Sequence, residues 1–562
     1  MSGHYRQLPL LTEANMTAIA NWSEETNAEH GEVFTRRWVV DLILDMAGYT
    51  ADVDLASMTI VEPSCGGGAF VSAIVERLLF SAESHGRSFE DLSDSLRAFD
   101  LLNHNVDISR KAAEAALTSA GCAQRTASSL AQSWINTADF LLEDHEAQSA
   151  NFVAGNPPYI RLEDVPPEIS DEYRRRWPTM KGRADIFIGF YEKGLELLKP
   201  EGKLAFICAD RWMRNQYGGE LRKLISDRYA TDSVIVMHDV DAFEEQVSAY
   251  PAITLLRNGK QRTAKIIEAN ASLDEESAAA IAPWVTNPRQ KAPTSEAYSA
   301  AKLPGWFEGP GLWPSASPQD LELLTDLESR FAPLEDEATG TRVGIGIATG
   351  CDDVYLRTDQ PDIEPDRLLP ILKSGDITSG SIEWSGTMLV NPWDDNGLVD
   401  LDKYPKLAKY LDANKKRVNA RHVAKRNPKA WHRTIDRVTP GLKDRPKLLL
   451  PDMKAAAHPV LDPGGFYPHH NLYYVVSDTW DLEVLGGLLL SDFANLFVGA
   501  YCVKMRGGTY RFQAQYLRKI RVPDPGTMGA PTKQQLAKAF QARDSIAATR
   551  AAEVAYGRGL KI

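Results

Sequence analysis

From residue 31 to about residue 256, short apolar runs alternate with amphipathic stretches of helical period. That alternation restricts the chain to a mainly parallel sheet covered by helices, because parallel neighbours are joined only through long crossovers. The runs 58–62, 96–100, 151–154, 203–207 and 252–256 read as strands. Helices fit 37–46, 69–79, 109–118 and 185–198, the last stopped by Lys199-Pro200-Glu201-Gly202. The fold class is therefore α/β and Rossmann-like. In such sheets ligands bind beyond the carboxyl ends of the strands, so the residues that follow each strand carry the functional information.

Two strand ends stand out. Asn156-Pro157-Pro158-Tyr159 follows the run 151–155, and its prolines fix the backbone of a tight turn that aims the Asn amide and the free carbonyls outward. An amino group on an aromatic base is a poor nucleophile because its lone pair is delocalised into the ring. The Asn156 side-chain oxygen and the Pro157 carbonyl are two acceptors that draw its hydrogens toward a pyramidal geometry, with Tyr159 stacked on the ring. Glu62-Pro63-Ser64-Cys65-Gly66-Gly67-Gly68-Ala69-Phe70 lies between a strand and a helix, where glycines let a ligand approach the backbone. It has neither Gly-Lys-Ser/Thr nor Gly-x-Gly-x-x-Gly, which argues against nucleotide hydrolysis and dinucleotide binding.

Both motifs resemble those of the amino-methylating DNA methyltransferases, whose signature is Asn/Asp/Ser-Pro-Pro-Tyr/Phe. Asn in first place leans toward adenine N6, with cytosine N4 the nearest alternative. RNA and protein-glutamine methyltransferases carry similar tetrapeptides. The glycine loop is similar to the family's first motif, which holds S-adenosylmethionine; by that resemblance Glu62 faces the ammonium side, Gly66 and Gly68 leave room for the methionine moiety, and Pro63, Cys65 and Phe70 complete the loop. The resemblance gives Asp100, at the end of the next strand, the ribose hydroxyls, although it lies further from Glu62 than the usual ~20 residues and 81–94 reads as an insertion. Asp139 and Phe140 match the element that takes the adenine amine and ring of the cofactor; a helix N-cap is the competing role for Asp139. Gly31-Glu32-Val33-Phe34-Thr35 resembles the tenth motif, over the cofactor's methionine end. Phe243-Glu244-Glu245-Gln246-Val247-Ser248 matches the eighth, whose aromatic stacks on the extruded base opposite Tyr159, with Tyr250 a local rival. Asp185-Ile186-Phe187 and Asp210-Arg211-Trp212 fall where the family shapes the target pocket. The motif order is that of the gamma group, and the chain resembles single-chain Eco57I and TaqI-type modification enzymes.

The resemblance implies a SAM-dependent catalytic domain over 1–269 and a mixed α/β target-recognition domain over 319–525. Residues 270–318, rich in Ala, Ser, Pro and Lys, read as a linker, and 526–562 as a helical tail with one helix from Thr532 to Ala555. The formal net charge is −13, yet from Lys403 to Lys454 there are 16 Lys/Arg against 4 Asp/Glu, a local excess of +12. That concentration suits double-stranded DNA, with Arg421, Lys425, Arg426 and Arg433 as candidate contacts. A helical face over 406–417 accounts for some of the charge. The five cysteines are scattered, with no Cys-x-x-Cys, so neither a metal site nor a disulfide framework is expected. None follows a proline, which argues against cytosine C5 chemistry. No run approaches the ~18 apolar residues of a membrane span. The expectation is a cytoplasmic monomer of a restriction-modification or related defence system, its partner a cognate restriction endonuclease or other defence-system proteins, with about 30 residues before the tenth motif, too few for an N-terminal nuclease.

Overall fold

The computed structural model describes residues 34–244, 250–502 and 509–558. Gly31-Glu32-Val33 of the expected tenth motif, Glu245-Gln246-Val247-Ser248 of the eighth and Arg506-Gly507-Gly508 of the second domain lie outside them. The chain divides into two compact units, Met1–Glu322 and Leu323–Ile562. Among the described residues no single helix is long and apolar enough to cross a membrane.

The first unit is built on a nine-stranded sheet in the order β3-β2-β1-β4-β5-β7-β6-β8-β9. Its strands are β1 (Ile60–Glu62), β2 (Leu96–Asp100), β3 (Ile135–Thr137), β4 (Ala150–Gly155), β5 (Leu198–Ala209), β6 (Ala230–Val236), β7 (Pro251–Arg257), β8 (Ala264–Ala269) and β9 (Tyr298–Leu303). Neighbours from β3 to β5 are parallel, while β7 enters antiparallel between β5 and β6. Helices α1 (Arg37–Ala47), α2 (Ala69–Ser84), α3 (Asn103–Ser119), α4 (Gln124–Trp134), α5 (Pro167–Arg176), α6 (Phe187–Leu197) and α7 (Gly219–Arg228) complete the crossovers. Val39, Ile43, Val71, Ile74 and Leu78 turn one face of α1 and α2 into the buried core with Ile60 and Leu96. The chain runs outward through β1, β2 and β3 and then returns to β4, so the order reverses between β1 and β4. That reversal is where an open α/β sheet leaves a crevice.

The stretch 270–318 is not a linker. It supplies β9, paired antiparallel with β8 from Ala264↔Leu303 to Ala269↔Tyr298, and Trp313 N donates to Met213 O at 2.9 Å. Its Ala, Ser and Lys composition hid the strand because an edge strand needs only one apolar face. The insertion expected at 81–94 is partly helical: α2 runs to Ser84, and Phe89–Leu92 forms a 3-10 turn.

In the second unit, Arg342–Ile345, Leu472–Val476, Lys447–Pro451 and Val460–Asp462 form an antiparallel sheet in that order. A second sheet orders Leu356–Arg357, Met388–Val390, Leu368–Leu372 and Tyr467–Pro468. The expected single C-terminal helix is two, Ala530–Ala542 and Ser545–Tyr556, because Arg543 takes a left-handed conformation (φ 58°) and Asp544 caps the second through Ala547 N. The basic face expected over 406–417 is likewise broken at Asn414 between Pro405–Ala413 and Lys415–Asn419.

Candidate active site

The two motifs meet at the reversal of strand order. Glu62 ends β1 and Gly155 ends β4; a Cβ on Gly155 would lie 2.5 Å from Glu62 Oε1, so glycine there is what lets the strand end pass the carboxylate. Glu62 is 0% exposed. Its Oε1 accepts the Ser64 N–H at 3.1 Å, whereas Oε2 has no hydrogen-bond partner among the described residues. Burial first, and then the charge of Asp100, push its pKa well above the ordinary carboxylate value, while the Ser64 N–H opposes them.

The glycine loop is held from several sides. Gly66 N donates to Asp100 Oδ2 (2.8 Å), Ser109 Oγ donates to Gly66 O (3.1 Å), and Cys65 N donates to Phe99 O (2.8 Å). Gly66 (φ 45°) and Gly68 (φ 86°) adopt left-handed backbone, which disfavours any side chain. A Cβ on Gly66 would meet nothing within 4 Å, so this glycine borders open space. Phe70, Pro63 and Cys65 are buried beneath the loop, and burial raises the Cys65 thiol pKa, keeping it protonated. A buried acceptor in need of a cation, beside backbone open to a ligand, fits the amino-acid end of S-adenosylmethionine.

Asn156 begins the turn after β4. Its backbone carbonyl accepts Ser64 Oγ at 3.1 Å, and its Nδ2 donates to Thr35 Oγ1 at 3.2 Å. The catalytic turn is thus bonded to the glycine loop and to the segment before α1. Thr35 is in turn bridged to Phe243, with Glu244 N donating to Phe34 O and Arg36 N to Ala242 O. Phe243 therefore reaches this corner, but its ring is only 5% exposed and packs in the core; Tyr250 is 61% exposed and lies against His238 at 4.9 Å between ring centroids. Pro157 is buried and Pro158 half-buried. Tyr159 donates weakly to Ile207 O (3.4 Å) and meets Phe187 edge-on at 6.4 Å, and burial raises its phenol pKa so that it stays neutral.

Asp100 also accepts Leu102 N (2.9 Å) and Asn105 Nδ2 (3.2 Å). Asp139 sits beside it, since Ala138 N donates to Asp100 O (2.9 Å). The competing helix N-cap role for Asp139 is not what the fold uses, because no helix begins there: its Oδ1 accepts Leu141 N at 2.9 Å within a turn, while Oδ2 accepts the Tyr173 hydroxyl at 2.6 Å. Phe140 is not an open wall: its ring stacks on Phe190 (5.3 Å), has His145 nearby (5.8 Å) and lies under the Lys193 ammonium (4.7 Å). Burial lowers the Lys193 pKa to about 7, and that of His145 to about 3.

On the target side, the segment after Tyr159 pairs with the one before α6 through the Arg161↔Asp185 bridge. Buried Asp185 accepts the Tyr217 hydroxyl (2.9 Å) and faces Arg211 (3.6 Å). Buried Asp210 accepts His238 Nε2 and Arg214 Nη2, each at 2.7 Å. Sequence reasoning missed Ser64, Ser109, Tyr173, Lys193, Tyr217 and His238. Ser64 lies inside the motif and was legible as a hydroxyl in the loop; the others act across 28 to 53 residues of chain.

The four basic candidates of the second unit divide. Arg421 is committed within the unit: it donates to Thr349 O (2.8 Å), Val418 O (2.9 Å) and Trp431 O (3.0 Å), and its guanidinium lies over the Tyr355 ring. Arg433 lies over Trp393 at 5.6 Å. Lys425 and Arg426 are exposed.

The family model for the Eco57I restriction-modification methylase matches residues 73–243. The chain is 43% identical to the Type II methyltransferase M.PaeR7I of Pseudomonas aeruginosa over 533 residues, 94% of this chain and 92% of that protein. It is 40% identical to the Type II methyltransferase M.XhoI of Xanthomonas vasicola, over 94% of this chain and 97% of that protein. M.BstVI of Geobacillus stearothermophilus is 39% identical over 90% of this chain and 92% of its own. Among solved structures, the Type IIL restriction-modification enzyme MmeI in complex with DNA matches 98% of this chain and 76% of its own at 14% identity and a TM-score of 0.48.

Proposed function

The chain belongs to the Type II modification methyltransferases of the Eco57I type, and from that premise we propose that it methylates the N6 amino group of adenine in double-stranded DNA. It is a DNA methyltransferase, with S-adenosylmethionine as methyl donor. The observation that carries the adenine reading is the Asn156-Pro157-Pro158-Tyr159 turn at the end of β4, bonded through Ser64 Oγ to the glycine loop at 3.1 Å.

S-adenosylmethionine supplies an electrophilic methyl group on its sulfonium. In the reading proposed here, Glu62 pairs with its ammonium, Gly66 and Gly68 admit its methionine end, Asp100 takes the ribose, and Asp139 takes the adenine amine. Asn156 Oδ1 and the Pro157 carbonyl accept hydrogen bonds from the two N6 hydrogens of the extruded base and localise the lone pair; on transfer the N6–methyl bond would form as the sulfonium–methyl bond breaks, leaving S-adenosylhomocysteine, and the surplus N6 proton would pass to solvent. Tyr159 stacks on the ring, a contact contributing ~1–3 kcal/mol, toward the few kcal/mol needed to extrude a base, while Phe243, buried in the core, supports this corner from behind. No covalent enzyme intermediate is required, so alignment of N6, methyl carbon and sulfur is the main task. The second unit recognises the DNA sequence. The working unit is a monomer, acting beside a cognate restriction endonuclease.

The test is to express the chain in a methylation-free host and analyse digested genomic DNA by nucleoside mass spectrometry with single-molecule sequencing. N6-methyladenine in one sequence context is expected. N4-methylcytosine in its place would overturn the choice of base.

A further inference from the structure

The basic segment of the second unit separates into charges the domain neutralises itself and charges it does not. Lys406 pairs with Asp362 (2.6 Å), Lys415 with Asp412 (3.0 Å) and Arg417 with Asp353 (2.6 Å). Lys425 and Arg426, which close the helix His422–Arg426, and Lys429, in the turn Pro428–Ala430, are exposed and make no ion pair among the described residues. A few residues on, Ile435 is 48% exposed. A single exposed aliphatic residue is ordinary, but this one is rigidly mounted. Thr434 Oγ1 accepts Trp393 Nε1 (2.7 Å) and donates to Asp436 O (2.5 Å); Asp436 N donates to Ala348 O (3.1 Å), and its Oδ2 accepts Ala348 N (2.9 Å). Gly350 (φ 76°) seats the isoleucine: a Cβ there would lie 2.9 Å from Ile435 Cγ1 and 3.5 Å from Arg421 Cδ. Arg421 immediately precedes the His422–Arg426 helix, so the aliphatic tip and the unpaired cations belong to one locality.

We infer that this locality is a two-part contact for duplex DNA, in which Lys425, Arg426 and Lys429 hold backbone phosphates and the fixed turn presents Ile435 to an apolar group on the base edges, chemically a thymine 5-methyl. Phosphates favour the cations because no internal carboxylate competes for them. The isoleucine adds discrimination because apolar contact with thymine methyls is one of the sequence-dependent interactions of the major groove. Freezing the turn in advance removes the ordering cost of the contact. Arg421 and Arg433 then serve as struts that shape the surface.

This inference rests on the chain being a DNA methyltransferase, and its test separates the two. Fluorescence anisotropy over a salt series would use a labelled duplex carrying the site that the wild type methylates and an unrelated duplex of equal length. Ile435→Ala should weaken the cognate duplex about tenfold, leave the unrelated duplex unchanged and keep the salt slope. Ile435→Val, which keeps the branched shape and the turn, should lose less. Replacing Lys425, Arg426 and Lys429 together by Gln should weaken both duplexes and lower the slope of log K against log salt by about 2.7, at ~0.9 per phosphate. Equal affinities of Ile435→Ala and wild type for both duplexes, or an unchanged slope in the triple variant, would overturn the inference. A wild type that bound neither duplex would instead overturn the DNA reading beneath it.

Discussion

Replacing Glu62 by Gln tests the cofactor side at its most strained atom. Glu62 is fully buried, with one carboxylate oxygen unpartnered among the described residues, so the free protein holds it protonated to a higher pH than a carboxylate in water. An ammonium placed against it restores the charge. Losing one partner of a buried, hydrogen-bonded charge pair costs about 2–5 kcal/mol; part of that attraction is spent in ionising the acid, which puts Glu62→Gln near the low end. Cofactor binding should weaken by about 2–3 kcal/mol, roughly 30- to 150-fold in Kd. The sign of the pH effect follows from linkage. The folded free protein binds this proton more tightly than the unfolded chain, whose Glu titrates near ~4.3, so Glu62 subtracts stability as pH rises from there to its raised folded pKa, by at most about 1.4 kcal/mol per unit. The melting temperature of cofactor-free Glu62→Gln should therefore gain on the wild type as pH rises through that window. Cofactor binding to the wild type should tighten with pH and release a proton. Isothermal titration calorimetry in two buffers of different ionisation enthalpy, with melting curves across pH, reads each quantity. Equal proton release in both proteins, or a Kd changed less than threefold, would refute the assignment of Glu62 to the ammonium.

Asn156→Ala should lower kcat at least a thousandfold while duplex binding stays within a few fold, since it removes an acceptor used in the transition state; unchanged single-turnover methylation would count against the mouth. Tyr173→Phe removes the 2.6 Å bond to Asp139 and should raise KM for the cofactor several-fold with kcat little changed; a purely structural role would lower the melting temperature without moving KM. Gly155→Ala drives a methyl to 2.5 Å from Glu62 Oε1 and should destabilise the chain by about 1–3 kcal/mol, seen as an earlier denaturation midpoint. Arg421→Ala should cost about 2 kcal/mol through its lost carbonyl bonds and leave the salt slope of DNA binding unchanged, which distinguishes a strut from a phosphate contact.

The strands at 96–100, 151–154 and 252–256 and the helices starting at Arg37 and Ala69 were legible because side-chain period, glycine loops and proline turns are properties of a few adjacent residues. The positions of Glu62 and Asn156 at strand ends followed from the same signals. Tertiary structure alone decided the antiparallel entry of β7, the recruitment of β8 and β9, and the bond from Tyr173 to Asp139. It also turned Arg421 from a candidate DNA contact into a brace, and buried the rings of Phe140 and Phe243. Those outcomes depend on which distant segments become neighbours, and a charge or an aromatic ring acquires its role from the dielectric and the partners around it, which no local pattern contains.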